Sequence, residues 1–442
     1  MDGIVERIPH ALQAIFGNIA NEVARTCGFI QRERGFSGSD FVRTLVFGWL
    51  GRPGASIESL ADGLQISGSG LQQRLTKPAC EFLRQVLMRS INMLLASRPA
   101  RIPLLAKFNG VYLEDCSTIS LPPELADEFP GCGGNDEKSG LAALRLFTSY
   151  ELKTGALRGL ATVPGRGADL TVAREHAPIL PRGALRIRDM GFFDRQLLAK
   201  DTADGVYWIS RLPSGLTVRT DDGSPLQISE FLTQQPDHVQ TLDCQLWIGQ
   251  SDKNAEPLRC RFLATRCSAE VAARRRQKVH ETARRKGRTA SQRQLQMCGW
   301  TVLITNVPAD KLSFAEAWEL YCSRWQIELL FKRWKSLGGL QVSTKMKGER
   351  VLCELYAKLL GMLVAHWFTL IRGGPVEGFS LIKAIRKIQD IACRIADALC
   401  WPERLVELVA EIAALMNRIP KQQRRKKRPS TRQRLFSPTL KT

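Results

Sequence analysis

The chain has 442 residues, 44% hydrophobic and 24% charged, enough to bury a real core and long enough for two to four domains. Lys and Arg outnumber Asp and Glu by 64 to 43, a net charge of +21 that points to a polyanionic partner, nucleic acid before an anionic membrane surface. Twelve cysteines with no CxxC pair, and only five histidines, argue against a zinc site and a disulfide framework and for reduced thiols in a cytoplasm.

In chain order, "MDGIVERIPHALQAIFG" lacks the basic start and apolar run of a secretory signal. Residues 1 to about 100 read as a helical N-terminal DNA-binding domain, broken near "GRPGAS" (51–56). Within it, "SIESLADGLQISGSGLQQRLTK" (56–77) fits two short helices around a polar turn. This is either a helix-turn-helix reader with Arg74 and Lys77 on phosphate, or two packed helices with no DNA role.

From about 105 the texture turns to strands: "GVYLED" (110–115), then "LAALRLFTSYEL" (141–152) and "ALRGLATV" (156–163) as a hairpin around "KTG". "DLTVAREHA" (169–177) fits a helix capped by Asp169, and "GALRIRDMGFF" (183–193) a strand. "DRQLLAKDTA" (194–203) fits a helix with Asp194 as cap, before the strand "GVYWISRL" (205–212). This order predicts an α/β fold, a mixed sheet covered by helices.

Residues 213–298 fit that sheet poorly and read as a β-rich insertion followed by a basic helix. That helix carries Arg274, Arg275, Arg276, Lys278, Arg284, Arg285, Lys286 and Arg288, a solvated face or a grip on duplex phosphates. The core resumes at "GWTVLITNV" (299–307). Helices follow at roughly 347–372, 379–399 and 402–418, making a helical C-terminal region over 346–420. The apolar run 355–371 holds Lys358 and His366 and is short for a bilayer, so it reads as a buried helix. Residues 421–442 read as a disordered basic tail.

"YCSRWQIELLFKRWKSLGGL" (321–340) reads as one helix ending at Gly338-Gly339. At about 100° per residue, Tyr321, Arg324, Glu328 and Lys335 share an arc of about 60°. Ile327, Leu330, Phe331 and Trp334 form the apolar face, and Lys332 adds a further cation. The polar stripe is either a solvated face or one side of a site.

The spacing Tyr-x2-Arg-x3-Glu-x6-Lys resembles the signature of bacterial insertion-sequence transposases with a DDE catalytic core, in the branch of the hairpin-forming cut-and-paste enzymes. "VYLEDCSTISLP" (111–122) and "LRIRDMGFFD" (185–194) resemble the two upstream motifs of that family, each with an Asp at a strand end. Glu114 and Asp194 are rival acids, the first pointing to the opposite strand face and the second suited to a helix cap.

The resemblance covers about 105–345 and implies a ribonuclease-H-like catalytic core over 105–212 and 299–345, interrupted by the 213–298 insertion. Asp115, Asp189 and Glu328 would be the catalytic and metal-binding residues, holding two Mg2+ ions, with Mn2+ as a substitute. Tyr321, Arg324 and Lys335 would grip phosphates near the cut. Trp300, on the strand before this helix, would either stack on a flipped base or pack a sheet edge; Trp247 is a weaker choice.

The expected function is a transposase that binds terminal inverted repeats, cuts double-stranded DNA and joins the ends to target DNA, with hairpin ends as the route. A synaptic dimer or larger assembly on DNA, no membrane partner and a place in the bacterial cytoplasm at the nucleoid go with it. The alternatives are a metal-dependent nuclease without strand transfer and an inactive DNA-binding derivative.

Overall fold

The computed structural model describes residues 3–32, 35–132, 141–249, 256–341, 348–420 and 429–438. They divide into two compact units. The first comprises Met1–Arg101, Glu114–Pro178 and Trp325–Arg432, and the second Ile102–Leu113, Ile179–Arg324 and Gln433–Thr442.

In the first unit the N-terminal helices follow their caps. Ser37 and Asp40 close a capping box at the start of Gly38–Gly51. The chain then breaks through Pro53. Ser56 and Ser67 cap the two short helices Ile57–Ala61 and Gly68–Arg74, which pack on each other as the polar-turn reading expects.

The helices Gly38–Gly51 and Lys77–Ile91 pack on Gly348–Thr369. That last helix is long and apolar enough to cross a membrane, but 94% of its most apolar stretch is buried inside the protein. Gly361 lets it approach closely, since a Cβ there would stand 3.3 Å from the Val46 carbonyl oxygen. Inside it, Lys358 and Glu354 form a buried ion pair at 2.5 Å. All twelve cysteines are free thiols.

Strand β1 (Val111–Leu121) gives its last eight residues to this unit, beside the hairpin of β2 (Ala142–Glu151) and β3 (Leu157–Pro164). Every residue of β2 is buried, so neither of its faces meets solvent. Tyr150 on β2 packs edge-on against His366 at 5.8 Å, and His366 Nε2 donates to the Gly155 carbonyl at 2.8 Å.

Full burial pulls the His366 imidazole down to about 4, outweighing that hydrogen bond. Its folded value thus lies below the unfolded value of about 6.5, and between the two the unfolded chain binds the extra proton. The His366 contribution is complete above about pH 6.5 and is lost as pH falls toward 4, by about 3 kcal/mol in all. In His366→Gln, denaturant unfolding at pH 4.5 and 7 should show a correspondingly smaller difference in stability.

The second unit is built on β4 (Leu185–Ile187), β5 (Tyr207–Arg211), β6 (Val218–Arg219), β7 (Pro225–Leu226), β8 (Thr241–Ile248), β9 (Leu258–Arg266) and β10 (Trp300–Thr305). From the start of β1 the order is β1-β4-β5-β10-β9-β8-β6-β7. β1, β4 and β5 are parallel, and the remaining pairs are antiparallel. This is a mixed sheet with helices against it, as α/β patterning predicts.

Several expectations need correction. Residues 213–298 extend the sheet rather than fitting it poorly: β9 pairs with β10 from Trp300↔Arg266 to Thr305↔Arg261. Their apolar side chains share one core, with Phe262, Leu232 and Ile248 packed among Trp208, Val302 and Ile304. Asp169 is the first residue of its helix rather than the cap, and its carboxylate pairs with Arg145 of β2 at 3.0 Å. The 379–399 segment is two helices, Leu381–Asp390 and Ala392–Ala398.

The tail is not uniformly without structure. Residues 421–428 and 439–442 lie outside the described residues, but Thr431–Phe436 is a short helix with Leu435 buried. Arg434 pairs with Glu319 at 2.7 Å in the second unit, and Thr431 accepts from Gln326 Nε2 at 2.8 Å in the first.

Candidate active site

Alternation along β1 separates its two acids. Glu114 is fully buried and accepts from Ser149 Oγ at 3.3 Å, whereas Asp115 is half-buried. One Asp115 oxygen accepts the Cys116 backbone N–H at 2.9 Å. Burial, then the nearby Asp169 charge, raises the Cys116 thiol well above its ordinary value, so it stays protonated beside that carboxylate.

The strand register places the next residues. Leu113 of β1 lies opposite Ile187 of β4, and Ile187 lies opposite Ile209 of β5, all running parallel. Two residues beyond Ile187 and Ile209, in the second unit, come Asp189 and Arg211, whereas Asp115 belongs to the first unit. Asp189 lies just past the carboxyl end of β4, where α/β proteins build sites, but the expectation that Asp115 ends its strand needs correction, since β1 runs on to Leu121. Asp189 is half-buried and opens the turn Met190–Phe192, its Oδ1 accepting from Gly191 N–H at 2.8 Å. The rival Asp194 caps Arg195–Ala203 by accepting from Leu197 N–H at 2.8 Å, as its position predicts.

The predicted helix over 321–340 is two helices. Phe314–Ser323 begins with a Ser313/Glu316 capping box, Trp325–Leu337 carries Glu328, and Arg324 stands at the junction. The stop is where the glycines put it, with Gly339 at φ +60°. Tyr321 and Arg324 therefore belong to the second unit, and Glu328 and Lys335 to the first.

In the second unit, Tyr321 lies among charges. Burial raises its phenol above the ordinary value; Arg211 and Arg324 oppose that rise, and Asp189 adds to it. Arg324 also donates a hydrogen bond to the Tyr321 oxygen. The structure thus gathers Asp189, Tyr321, Arg324 and Arg211 into one cluster. Arg211 was missed because it carries no motif; its value lies in the register of β4 and β5.

In the first unit, Ile327, Leu330, Phe331 and Trp334 are buried as the apolar face requires, and Glu328 is half-buried. Arg333 is half-buried near Tyr150, and desolvation lowers its guanidinium from the ordinary value. Lys335 Nζ donates to the Thr118 carbonyl of β1 at 2.7 Å, and its partial burial lowers the ammonium. Lys332, Arg74 and Lys77 are exposed on this unit, Arg74 lying 5.5 Å from the Phe36 ring.

The basic helix is Ala269–Arg285, with Ser268 as its cap, so Lys286 and Arg288 lie past its end, correcting the expectation that they sit on it. A cleft of about 600 Å³ opens between it and the sheet, beside Met190, lined by Arg211, Lys278, Lys286, Arg288 and Trp300. Arg275 also reaches it but is tied inward, donating to Trp300 O at 3.1 Å and Thr301 Oγ1 at 2.9 Å. Arg276 lines a separate hollow, with Arg266. Arg274, Arg284 and Arg285 are exposed outside both. Trp300 itself is 4% exposed, with the Arg266 guanidinium 4.6 Å from its ring, so packing describes its present state. Trp247 donates instead to Asp221 at 3.0 Å.

Among the described residues, no three His, Cys, Asp or Glu side chains group closely enough to hold a metal ion. Asp115 and Glu328 in the first unit and Asp189 in the second are each half-buried carboxylates, hard oxygen donors of the kind that magnesium and manganese prefer.

Comparison with known proteins covers the same segment. A family model described as "Transposase DDE domain" matches residues 108–363, which include all three acids, Tyr321, Arg324 and Lys335. The chain is 29% identical over 369 residues to the transposase for insertion sequence element IS231B of Bacillus thuringiensis subsp. berliner, covering 78% of this chain and 75% of that protein. It is 27% identical to the transposase for IS231F of Bacillus thuringiensis subsp. israelensis, over 89% of this chain and 87% of that one. The transposase for IS1151 of Clostridium perfringens is 25% identical over 79% and 77%. The chain therefore belongs to the transposase DDE domain family, ribonuclease-H-like enzymes that cut DNA in transposition and generally use divalent metal ions.

Proposed function

We propose that this chain is the transposase of an insertion sequence, of the Tyr-Arg-Glu-Lys branch, and that Asp115, Asp189 and Glu328 hold two Mg2+ ions, with Mn2+ able to replace them. Bound divalent ions activate a water or 3′-hydroxyl and stabilise the leaving oxygen of an in-line displacement at phosphorus. The observation that carries this reading is the match of the transposase DDE domain to residues 108–363, a span that holds Asp115, Asp189, Glu328 and the whole Tyr-Arg-Glu-Lys spacing.

The remaining side chains act on the phosphate. Arg324 supplies a donor to Tyr321, which leaves the phenol proton for a phosphate oxygen. Lys335 has three donors, of which one goes to Thr118 O, so the others serve the DNA backbone. Arg211 adds a planar guanidinium suited to a two-point grip. The cleft below the basic helix receives the strand near the cut, and Trp300 offers a stacking face to a flipped base once Arg266 is displaced.

Arg211→Ala should raise the KM for end-containing DNA by about 10- to 100-fold, the scale of a lost charge-assisted contact, with a smaller fall in kcat. Steady-state cleavage of a labelled end duplex reads both.

On this reading the enzyme binds terminal inverted repeats, cuts through hairpin ends and joins them to target DNA. It does so as a synaptic dimer or larger on DNA, in the bacterial cytoplasm at the nucleoid and without a membrane partner. Incubating the protein with Mg2+, a 3′-hydroxyl end duplex and a plasmid should give joined product. Cutting with no joining would leave a nuclease, and neither would leave an inactive DNA-binding derivative.

A further inference from the structure

A further basic hollow, of about 620 Å³, opens in the first unit where the loop after Gly51, the end of Trp325–Leu337 and the C-terminal helices meet. Helix Leu381–Asp390 buries Ala384, Ile385 and Ile388, which turns Lys383, Arg386 and Lys387 outward together. Arg418, just past the end of Pro402–Asn417, faces the same space. Pro53, Leu337 and Ile419 line it with apolar surface. Among the described residues Asp390 is the one acid in the lining, 3.3 Å from Lys387.

Cations near helix ends often serve the last carbonyls. Here those acceptors are already taken. Gln389 Nε2 donates to Leu337 O at 2.9 Å, and Arg372 Nη1 donates to Met416 O and Asn417 O, both at 2.9 Å. Among the described residues, the side chains of Lys383, Arg386 and Arg418 have no hydrogen-bonded or ion-paired partner.

We propose that this hollow is a second docking site for duplex DNA, gripping the sugar-phosphate backbone without reading sequence. Side chains at i, i+3 and i+4 start about 5–6 Å apart, close enough to reach successive phosphates of one strand. The apolar lining suits the sugar faces between them. The site rests on DNA being the substrate and adds a surface that the cleavage chemistry does not use.

The test measures full-length protein binding a labelled 30-base-pair random duplex, in EDTA, across a NaCl series. Lys383→Glu with Arg386→Glu should weaken binding by about ten-fold or more and flatten the salt dependence by about one to two in log–log slope. Arg394→Glu with Arg404→Glu, an equal charge change on nearby exposed helices, should shift Kd less than about three-fold and keep the slope. Lys383→Gln with Arg386→Gln should move Kd in the same direction, with thermal melts matching the parent.

Equal effects from the two Glu pairs would reduce the hollow to general charge and overturn the site. So would unchanged DNA binding, and so would loss of binding to phosphatidylglycerol vesicles alone. Cutting in Mg2+ is scored separately: a protein that never cuts, yet loses duplex binding in the Lys383/Arg386 pair, retires the proposed chemistry and keeps the docking site.

Discussion

Glu328→Gln should lower Mg2+-dependent cutting by ~10³-fold or more while leaving affinity for the end duplex within about two-fold. The substitution keeps the size and one oxygen of the side chain but removes the charge that a divalent ion needs. The helix should not notice, because Ile327, Leu330, Phe331 and Trp334 hold it from the other side. On the proposed reading binding is carried by cations elsewhere, so a gel-shift titration and a cleavage time course should part company. Persistent cutting would show that Glu328 is a solvated-face carboxylate, and loss of binding together with cutting would make its role structural.

The largest stability effect should come from the pair inside Gly348–Thr369. Lys358 donates to Glu354 at 2.5 Å and to the Gly339 carbonyl at 3.0 Å, with both charged side chains almost out of solvent. Removing one partner strands the other charge in an apolar helix, and Lys358→Ala should cost about 3–5 kcal/mol by urea unfolding. Lys358→Met combined with Glu354→Leu should recover most of it, because buried ion pairs often gain little over well-packed apolar residues. A cost below about 1 kcal/mol for Lys358→Ala would mean that water reaches the pair.

Much of this was legible in the sequence for local reasons. The β2–β3 hairpin, the Asp194 cap and the stop at Gly338-Gly339 each depend on residues within a few positions of one another. Glu114 and Asp115 separate by strand alternation alone. What was hidden depends on partners far along the chain. Asp169 looks like a cap until Arg145 on β2 claims it, and Arg211 looks like any strand-end cation until β5 is set beside β4. The break at Arg324 has no Gly or Pro to announce it. The insertion looked foreign because its half-exposed strand β8 hides how completely β9 pairs with β10.

That break has a consequence for how the gene can vary. The fifteen-residue signature spans one of the five covalent crossings between the two compact units, with Tyr321 and Arg324 on one side and Glu328 and Lys335 on the other. Side chains around it can change identity, but its length cannot drift. One residue gained or lost at the junction turns Glu328 by about 100° along the helical path from Arg324. The 213–298 segment is tied at both ends by strand pairing, so its loops can lengthen without disturbing what lies on either side. Natural relatives should therefore differ in length between β5 and β10 and keep the spacing of the crossing fixed.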